Sequence, residues 1–405
     1  MIMIPTPDQI RDAQKRFQGN ISPSPLIRSS SLSRMLGSEI FLKLENLQET
    51  GSFKIRGAYN RLLQLDKEER KRGVIAASAG NHAQGVAWAS AILGIKATIV
   101  LPLEVSIRKL LAVREYGAGI LLHGDHYDDS YAHAAEHSRE TGKILIPAFD
   151  DPYVIAGQGT IGLEILPMLQ GRTAVIVPVG GGGLISGIAI AVKEVNRDVP
   201  IIGVQALASP SMIHSLNDKR PVLAEVGPTL ADGIAVKRPG DLTFPIIQRD
   251  VDEMVGVDEA CIAGAIMNLL EKANIIVEGA GATPLAALMD QKISFRAERY
   301  ILIISGGNIE VNTIDRIIQK GSVRMGRLIR LQVAIRDVPG SLWNLLGIIA
   351  AEKANILHIF HDRLAVDNPI GVSRVNLNLE TRGPDHAGDI LKRLIDSGYD
   401  VRRIL

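Results

Sequence analysis

The chain has 405 residues, 46% hydrophobic, 22% charged and 4% aromatic, with a net charge of +1. That length holds two or three domains with sizeable cores, and the composition excludes a disordered chain. No basic stripe interleaved with aromatics is present, which excludes nucleic acid as an expected partner. In chain order, Thr6, Pro7 and Asp8 supply an N-cap, a proline at the first helical position and an acid in the first turn, opening a helix to about Phe17. Residues 40–44 read as a strand, and a helical pattern then starts at Lys54 and runs through Ala58, Tyr59, Leu62 and Leu63. After it one pattern repeats: apolar strand, small-residue loop, apolar helix. The strands are 74–77, 97–101, 120–122, 144–146, 174–179, 201–204 and 300–304. Helices are expected through Val86, Ala89 and Leu93, over 106–116 and 127–139, and after each of the last three strands. Apolar strands alternating with helices imply parallel sheets covered on both faces, with ligands beyond the carboxyl ends of the strands. The small-residue loops lie there.

Two segments test this reading. The stretch 173–192 carries twenty residues without a charge, long enough to cross a bilayer. Pro178 and four consecutive glycines interrupt it where a membrane helix needs unbroken hydrogen bonding, so strand, loop and helix is the expectation and no membrane is involved. Cys261 has no internal disulfide partner and lies in an apolar run with Ile262, Ile266, Leu269 and Leu270, which reads as core packing. The first five residues lack the basic region and apolar core of a secretory signal, which makes the cytoplasm the default location.

Toward the C-terminus the pattern changes. Residues 321–326 read as a linker. Beyond it Ile329, Leu331, Val333 and Ile335 alternate with polar positions, as on a half-exposed strand. A turn at 337–341 leads into a helix to Ala354, followed by strands over 355–365 and 372–380, a helix from Pro384 that Gly398 ends, and a strand over 401–405.

Four loops carry chemistry. In the first, Thr50-Gly51-Ser52-Phe53-Lys54 sets a lysine at a helix start, where the dipole and burial both disfavour its charged form. A neutral lysine amine can condense with an aldehyde, although an ordinary helix-start lysine has the same look. In the second, Ser78-Ala79-Gly80-Asn81-His82 offers helix-start amides that suit a carboxylate or phosphate, or forms a plain capped turn. In the third, Gly180, Gly181, Gly182, Gly183 and Leu184 follow a strand and open a helix, so their amides can surround a phosphate. A dinucleotide fold would need an acid at the end of the next strand, which closes on Gln205, and a third glycine where Ile185 and Ser186 stand. The fourth loop is Ser305-Gly306-Gly307-Asn308.

The run Glu45-Asn46-Leu47, Thr50 to Lys54 and Arg56-Gly57-Ala58 resembles the cofactor-lysine motif of fold-type II pyridoxal-phosphate enzymes, and within them the threonine dehydratases. The other three loops resemble the family's remaining motifs in order, covering about residues 20–320. The resemblance implies a catalytic domain over 1–322 made of two parallel-sheet α/β subdomains, the smaller over about 53–150. It implies that Lys54 holds pyridoxal 5'-phosphate and later takes the α-proton, with Phe53 against the ring. Asn81 would touch the cofactor's phenolic oxygen, while Ser78 and the amides of Ala79, Gly80, Asn81 and His82 grip the substrate carboxylate. Gly180 to Leu184 would cradle the phosphate, and the Ser305 hydroxyl would face the ring nitrogen. His82 shapes its loop. The stretches 231–236 and 278–282 also resemble segments near the cofactor, without an assigned role.

The reaction implied is α,β-elimination of L-threonine to 2-oxobutanoate and ammonia, and of L-serine to pyruvate, at the entry to isoleucine synthesis or in threonine breakdown. Alternatives on the same fold are a serine racemase, a β-replacing synthase or a non-catalytic amino-acid sensor. Some relatives carry a divalent-cation site where this chain reads Gln205 to Pro210 without an acid, so no metal site is expected, although a monovalent cation is allowed. Asp337-x-Pro339-Gly340-x-Leu342 and the βαββαβ order over 328–405 are similar to an ACT regulatory domain. That implies an amino-acid effector; a dimerisation module is the alternative. The resemblance also implies a homo-oligomer, dimer or tetramer.

Overall fold

The computed structural model describes residues 3–17, 19–363 and 369–404. The chain forms two compact units, Met1–Ile309 and Glu310–Leu405.

The first unit holds two parallel-sheet layers. In the larger sheet the strands lie in the order Leu26–Arg28, Glu39–Leu44, Arg299–Ile304, Thr173–Pro178, Ile201–Ala206 and Glu253–Val257, with only the first antiparallel. The smaller sheet is parallel throughout, in the order Gly119–Leu122, Ala97–Leu101, Val74–Ala77 and Ile144–Leu145. Every residue of Thr173–Pro178, Ile201–Ala206 and Val74–Ala77 is buried, as strands with helices on both faces require. The uncharged stretch 173–192 is a strand, a glycine turn and the start of helix Gly183–Val195. Among the described residues, no helix is long and apolar enough to cross a membrane.

This topology collects the loops. Glu39–Leu44, Arg299–Ile304 and Thr173–Pro178 are neighbours, with Ile304 beside Leu44 and Leu302 beside Ile176. The lysine stretch, the 305–308 loop and the glycine loop therefore leave adjacent strand ends. The 78–82 loop leaves Val74–Ala77 in the smaller sheet.

The second unit has the chain order β-α-β-β-α-β after a leading helix, Val311–Arg324, which is the ferredoxin-like arrangement. Its antiparallel sheet runs Asn355–Asp362, Val372–Glu380, Leu328–Arg336, Asp400–Ile404. Ile329, Leu331, Val333, Val375, Leu377 and Leu379 point one way and pack with Leu345, Ile349, Ile390 and Leu394 of helices Ser341–Ala351 and Pro384–Asp396. The ends expected at Ala365 and Leu405 lie outside the described residues.

Two expectations need correction. Residues 321–324 are not a linker but the last turn of Val311–Arg324. Ile314, Ile317 and Ile318 keep helical spacing up to Gly321, and one internal glycine costs only about 1 kcal/mol. Gly326, at φ 64°, makes the turn instead. Cys261 is not core: it is half-buried in the first turn of helix Glu259–Ala273, and its N–H donates to Asp258 Oδ1 (2.7 Å). Burial and then the carboxylates of Asp258 and Asp290 push its thiol up to about 11.

Candidate active site

Lys54 is the first residue of helix Lys54–Leu63. Its loop is fixed by a short pairing with the 305–307 loop. Phe53 N–H donates to the Ser305 carbonyl (3.1 Å), Gly307 N–H donates to the Gly51 carbonyl (2.9 Å), and Ser52 bridges Gly306. Below the lysine, the buried Arg56 donates to Glu45 through Nε and Nη2 (2.8 Å each), and through Nη1 to Glu164 (2.5 Å) and Thr160 (3.0 Å). Lys43 adds a 2.5 Å bond to Glu164. Burial opposes the Arg56 charge, but Glu45 and Glu164 more than offset it, so the group stays ionised. Paired and hydrogen-bonded in this way, the cluster ties the lysine helix to the larger sheet and to helix Pro152–Ile165.

The Lys54 amine donates to the Ala148 carbonyl (2.9 Å) and lies 5.1 Å from the centre of the Phe53 ring. Burial lowers it to about 8, with the Glu278 carboxylate pulling the other way. Ala148 belongs to a segment, 146–149, that touches three of the loops. The Ile146 carbonyl accepts from His82 Nε2 (2.9 Å). The Phe149 ring covers the glycine loop so closely that a Cβ on Gly181 would come within 2.4 Å of it. The sequence reading missed Phe149; the available signal was its place just past the strand end at Leu145.

Asn81 opens helix Asn81–Leu93, and Ser78 Oγ accepts from Gly80 N–H (3.1 Å). First-turn amides of a helix have no partner within it, so Asn81, His82 and Ala83 present free donors. A Cβ on Gly80 would meet nothing within 4 Å, so the loop is open there, whereas Ala79 packs partly on the apolar core. Burial, and then the nearby Lys54 charge, push His82 down to about 3. It is a neutral ring tied to backbone.

Gly182 sits at φ 98° as the N-cap of Gly183–Val195, a conformation that a side chain would strain. The Gly181 carbonyl accepts from Thr243 Oγ1 (2.5 Å). Leu184 turns its side chain into the core, which leaves its amide for the site. Ser305 is buried.

Glu278 is a residue to which sequence reasoning gave no role. It is buried, and both carboxylate oxygens accept from Asn81 Nδ2 at 2.9 Å. Burial pushes it up to about 7; the Asn81 bonds oppose the rise, Asp232 adds to it, and Lys54 and Lys109 oppose it. The Glu-Gly-Ala-Gly-Ala stretch starting a helix was its only signal in the sequence.

A half-buried amine of lowered basicity beside two sets of helix-start amides suits an enzyme that anchors a phosphate-bearing aldehyde. The chain accordingly matches the pyridoxal-phosphate dependent enzyme family over residues 17–306, and it belongs to that family. Its relatives narrow the class. It is 51% identical to an L-threonine ammonia-lyase of Thermotoga maritima, over 98% of this chain and 99% of that one. It is 44% identical to a catabolic L-threonine dehydratase of Escherichia coli, over 76% of this chain and 95% of that protein. Among solved structures, maize serine racemase matches with a TM-score of 0.74 and 33% identity, over 80% of this chain and 99% of that one.

The residues fit the cofactor. The Ser52 and Thr50 hydroxyls, just before Lys54, are buried with no hydrogen-bond partner among the described residues. The glycine loop has no room for side chains, since a Cβ on Gly181 or Gly183 would strike Phe149 and one on Gly182 would strike Thr243, so its helix-start amides stand bare.

Proposed function

We propose that this chain is a pyridoxal-phosphate-dependent threonine ammonia-lyase, converting L-threonine to 2-oxobutanoate and ammonia and L-serine to pyruvate. The observation that carries the reading is the Lys54 amine: half-buried, lowered to about 8 by desolvation, and at the meeting of the loops from three adjacent strands. When bound, pyridoxal phosphate supplies an electron sink beside the substrate's α-carbon. Lys54 would anchor it, and once the substrate's amino group had displaced that bond, the freed amine, lowered to about 8, would take the α-proton. The amides of Gly180 to Leu184 hold the phosphate, where the helix dipole favours a negative group. Ser78 and the amides of Ala79, Gly80, Asn81 and His82 orient the substrate carboxylate. The Ser305 hydroxyl would serve the ring nitrogen as a neutral partner, and Phe53 would pack on the ring.

The C-terminal unit is, on this reading, an ACT-type regulatory module over 328–405. Its β-α-β-β-α-β order supports this, as does Gly340 at φ 88° before Ser341–Ala351 with nothing near its Cβ position. Asp337 pairs with Arg363 (3.1 Å), so an effector ammonium would have to compete with that guanidinium. Isoleucine is the first effector to try, with valine as its antagonist.

One assay tests both parts. Keto-acid release from L-threonine and L-serine is followed with and without isoleucine and valine, on the full chain and on a chain stopped at Met325, which keeps Val311–Arg324 whole. The full chain should turn over threonine, and effector coupling of ~1–3 kcal/mol should change its threonine affinity roughly five- to 150-fold. The shortened chain should stay active without the response. No keto acid from threonine refutes the lyase; flat curves with every small amino acid leave only a dimerisation module. Ala79 offers no acid–base group, so chiral chromatography should find negligible D-serine. D-serine forming as fast as pyruvate identifies a racemase instead.

A further inference from the structure

The orientation of an amide side chain is decided by the partners it must satisfy. Here the chain of partners starts from a group that cannot turn round. The Thr50 backbone carbonyl only accepts, so Asn308 presents Nδ2 to it, at 2.8 Å. The same Nδ2 is 2.7 Å from the Asn81 amide, which must answer with Oδ1. Asn81 Nδ2 is then left facing Glu278, 2.9 Å from each oxygen. An ionised carboxylate is an acceptor only, so the far end of the chain demands the same orientation as the near end.

The surroundings make room for this arrangement. A Cβ on Gly306 would stand 2.4 Å from Glu278 Oε1 and 3.2 Å from Asn81 Nδ2, so the residue beside Ser305 must lack a side chain. Glu278 N–H donates to the Gly306 carbonyl (3.1 Å), and Glu278 is the N-cap of helix Gly279–Met289, which fixes its backbone. Among the described residues, only Asn81 makes a hydrogen bond to this carboxylate. A protonated Glu278 still accepts through one oxygen, so the orientation survives as the group, pushed up to about 7, takes a proton.

We infer that Glu278 is a positioning residue: acting through Asn81, and matched by Asn308 from the other side, it locks the Asn81 amide so that the site is offered an N–H donor and not a carbonyl. The inference rests on the pyridoxal-phosphate reading above, in which Asn81 meets the cofactor's phenolic oxygen. A flipped amide would set its carbonyl dipole against that oxygen and disfavour the charged form.

The test compares cofactor-loaded wild type, Glu278→Gln, Glu278→Ala and Asn308→Ala. The readouts are the pH at which the near-visible band of the bound cofactor interconverts, and kcat and KM for L-threonine. Glu278→Gln keeps an acceptor for Asn81 and should keep the wild-type titration. Glu278→Ala frees the amide and should move the titration up by about one pH unit, tenfold in proton affinity. Its kcat should fall ~10–100-fold, as for other groups that orient a contact residue, with KM little changed. Should Glu278→Ala fail to fold, Asn308→Ala carries the same expectation from the other end. An unchanged titration in the alanine variants, or a glutamine variant as impaired as the alanine one, overturns the inference alone. Absence of any cofactor band in the wild type would instead sink the cofactor reading, and the inference with it.

Discussion

The sheets around Lys54 and the sheet of the C-terminal unit solve opposite problems. The first are buried on both faces at their central strands, so the polar groups there must be satisfied inside: Arg56, Lys43, Glu45 and Glu164 form a closed set with Thr160 and the Ser24 carbonyl. The second is apolar on one face and leaves Arg330, Gln332, Asn376 and Asn378 on the other. The difference teaches where charge is structural. In the catalytic unit a charge is part of the core and cannot be removed singly, whereas on the open sheet it is solvated and nearly free to vary.

The same substitution made in both regions breaks or sharpens that contrast most strongly. Arg56→Met leaves Glu45 and Glu164 buried with Lys43 alone, and should cost ~3–5 kcal/mol in denaturant unfolding of the cofactor-free protein. Arg330→Met on the open face should stay within about 0.5 kcal/mol. Equal losses at the two sites would refute the contrast.

Per pH unit, a smaller effect is expected from the titration of His82. His82 is held down to about 3 in the folded protein, against an ordinary 6.5. Between those values the unfolded chain binds the extra proton, so stability falls as pH falls through the window and is fully recovered above it. The slope is at most ~1.4 kcal/mol per pH unit. Glu278, raised to about 7, acts in the opposite direction as pH falls toward 4.5. The His82 effect is therefore read as the difference between wild type and His82→Gln in cofactor-free protein. Parallel pH curves for the two proteins would show that the ring is not held neutral by burial.

How much of this was legible depended on how each region is buried. Val372–Glu380 matches its sequence expectation because one-sided burial writes itself as strict alternation. The strands over 97–101 and 74–77 were equally plain, being apolar runs closed by small-residue loops. Helix Pro152–Ile165 was missed. It is buried from Val154 to Gly162, so it has no polar face to set a period, and three glycines blur it further. Val311–Arg324 was cut short because Gly321 reads locally as a breaker, although its apolar stripe continues. In the site, Lys54, Asn81 and Ser305 lie in loops whose composition marks them. Phe149 carries no such mark, and the small-residue stretch at Glu278 assigns it no role, because their importance comes from what the fold brings opposite them: a glycine loop in one case, an asparagine amide in the other.

The central claim is that Lys54, set by the Arg56 cluster below and the loops above, is the residue that carries the cofactor. Borohydride reduction of the cofactor-loaded protein, followed by peptide mapping, tests it most directly. The reduced pyridoxal group should be found on Lys54, and Lys54→Ala should take up no label and release no keto acid from threonine. Label on another lysine, or a Lys54→Ala protein with wild-type turnover, would contradict the account.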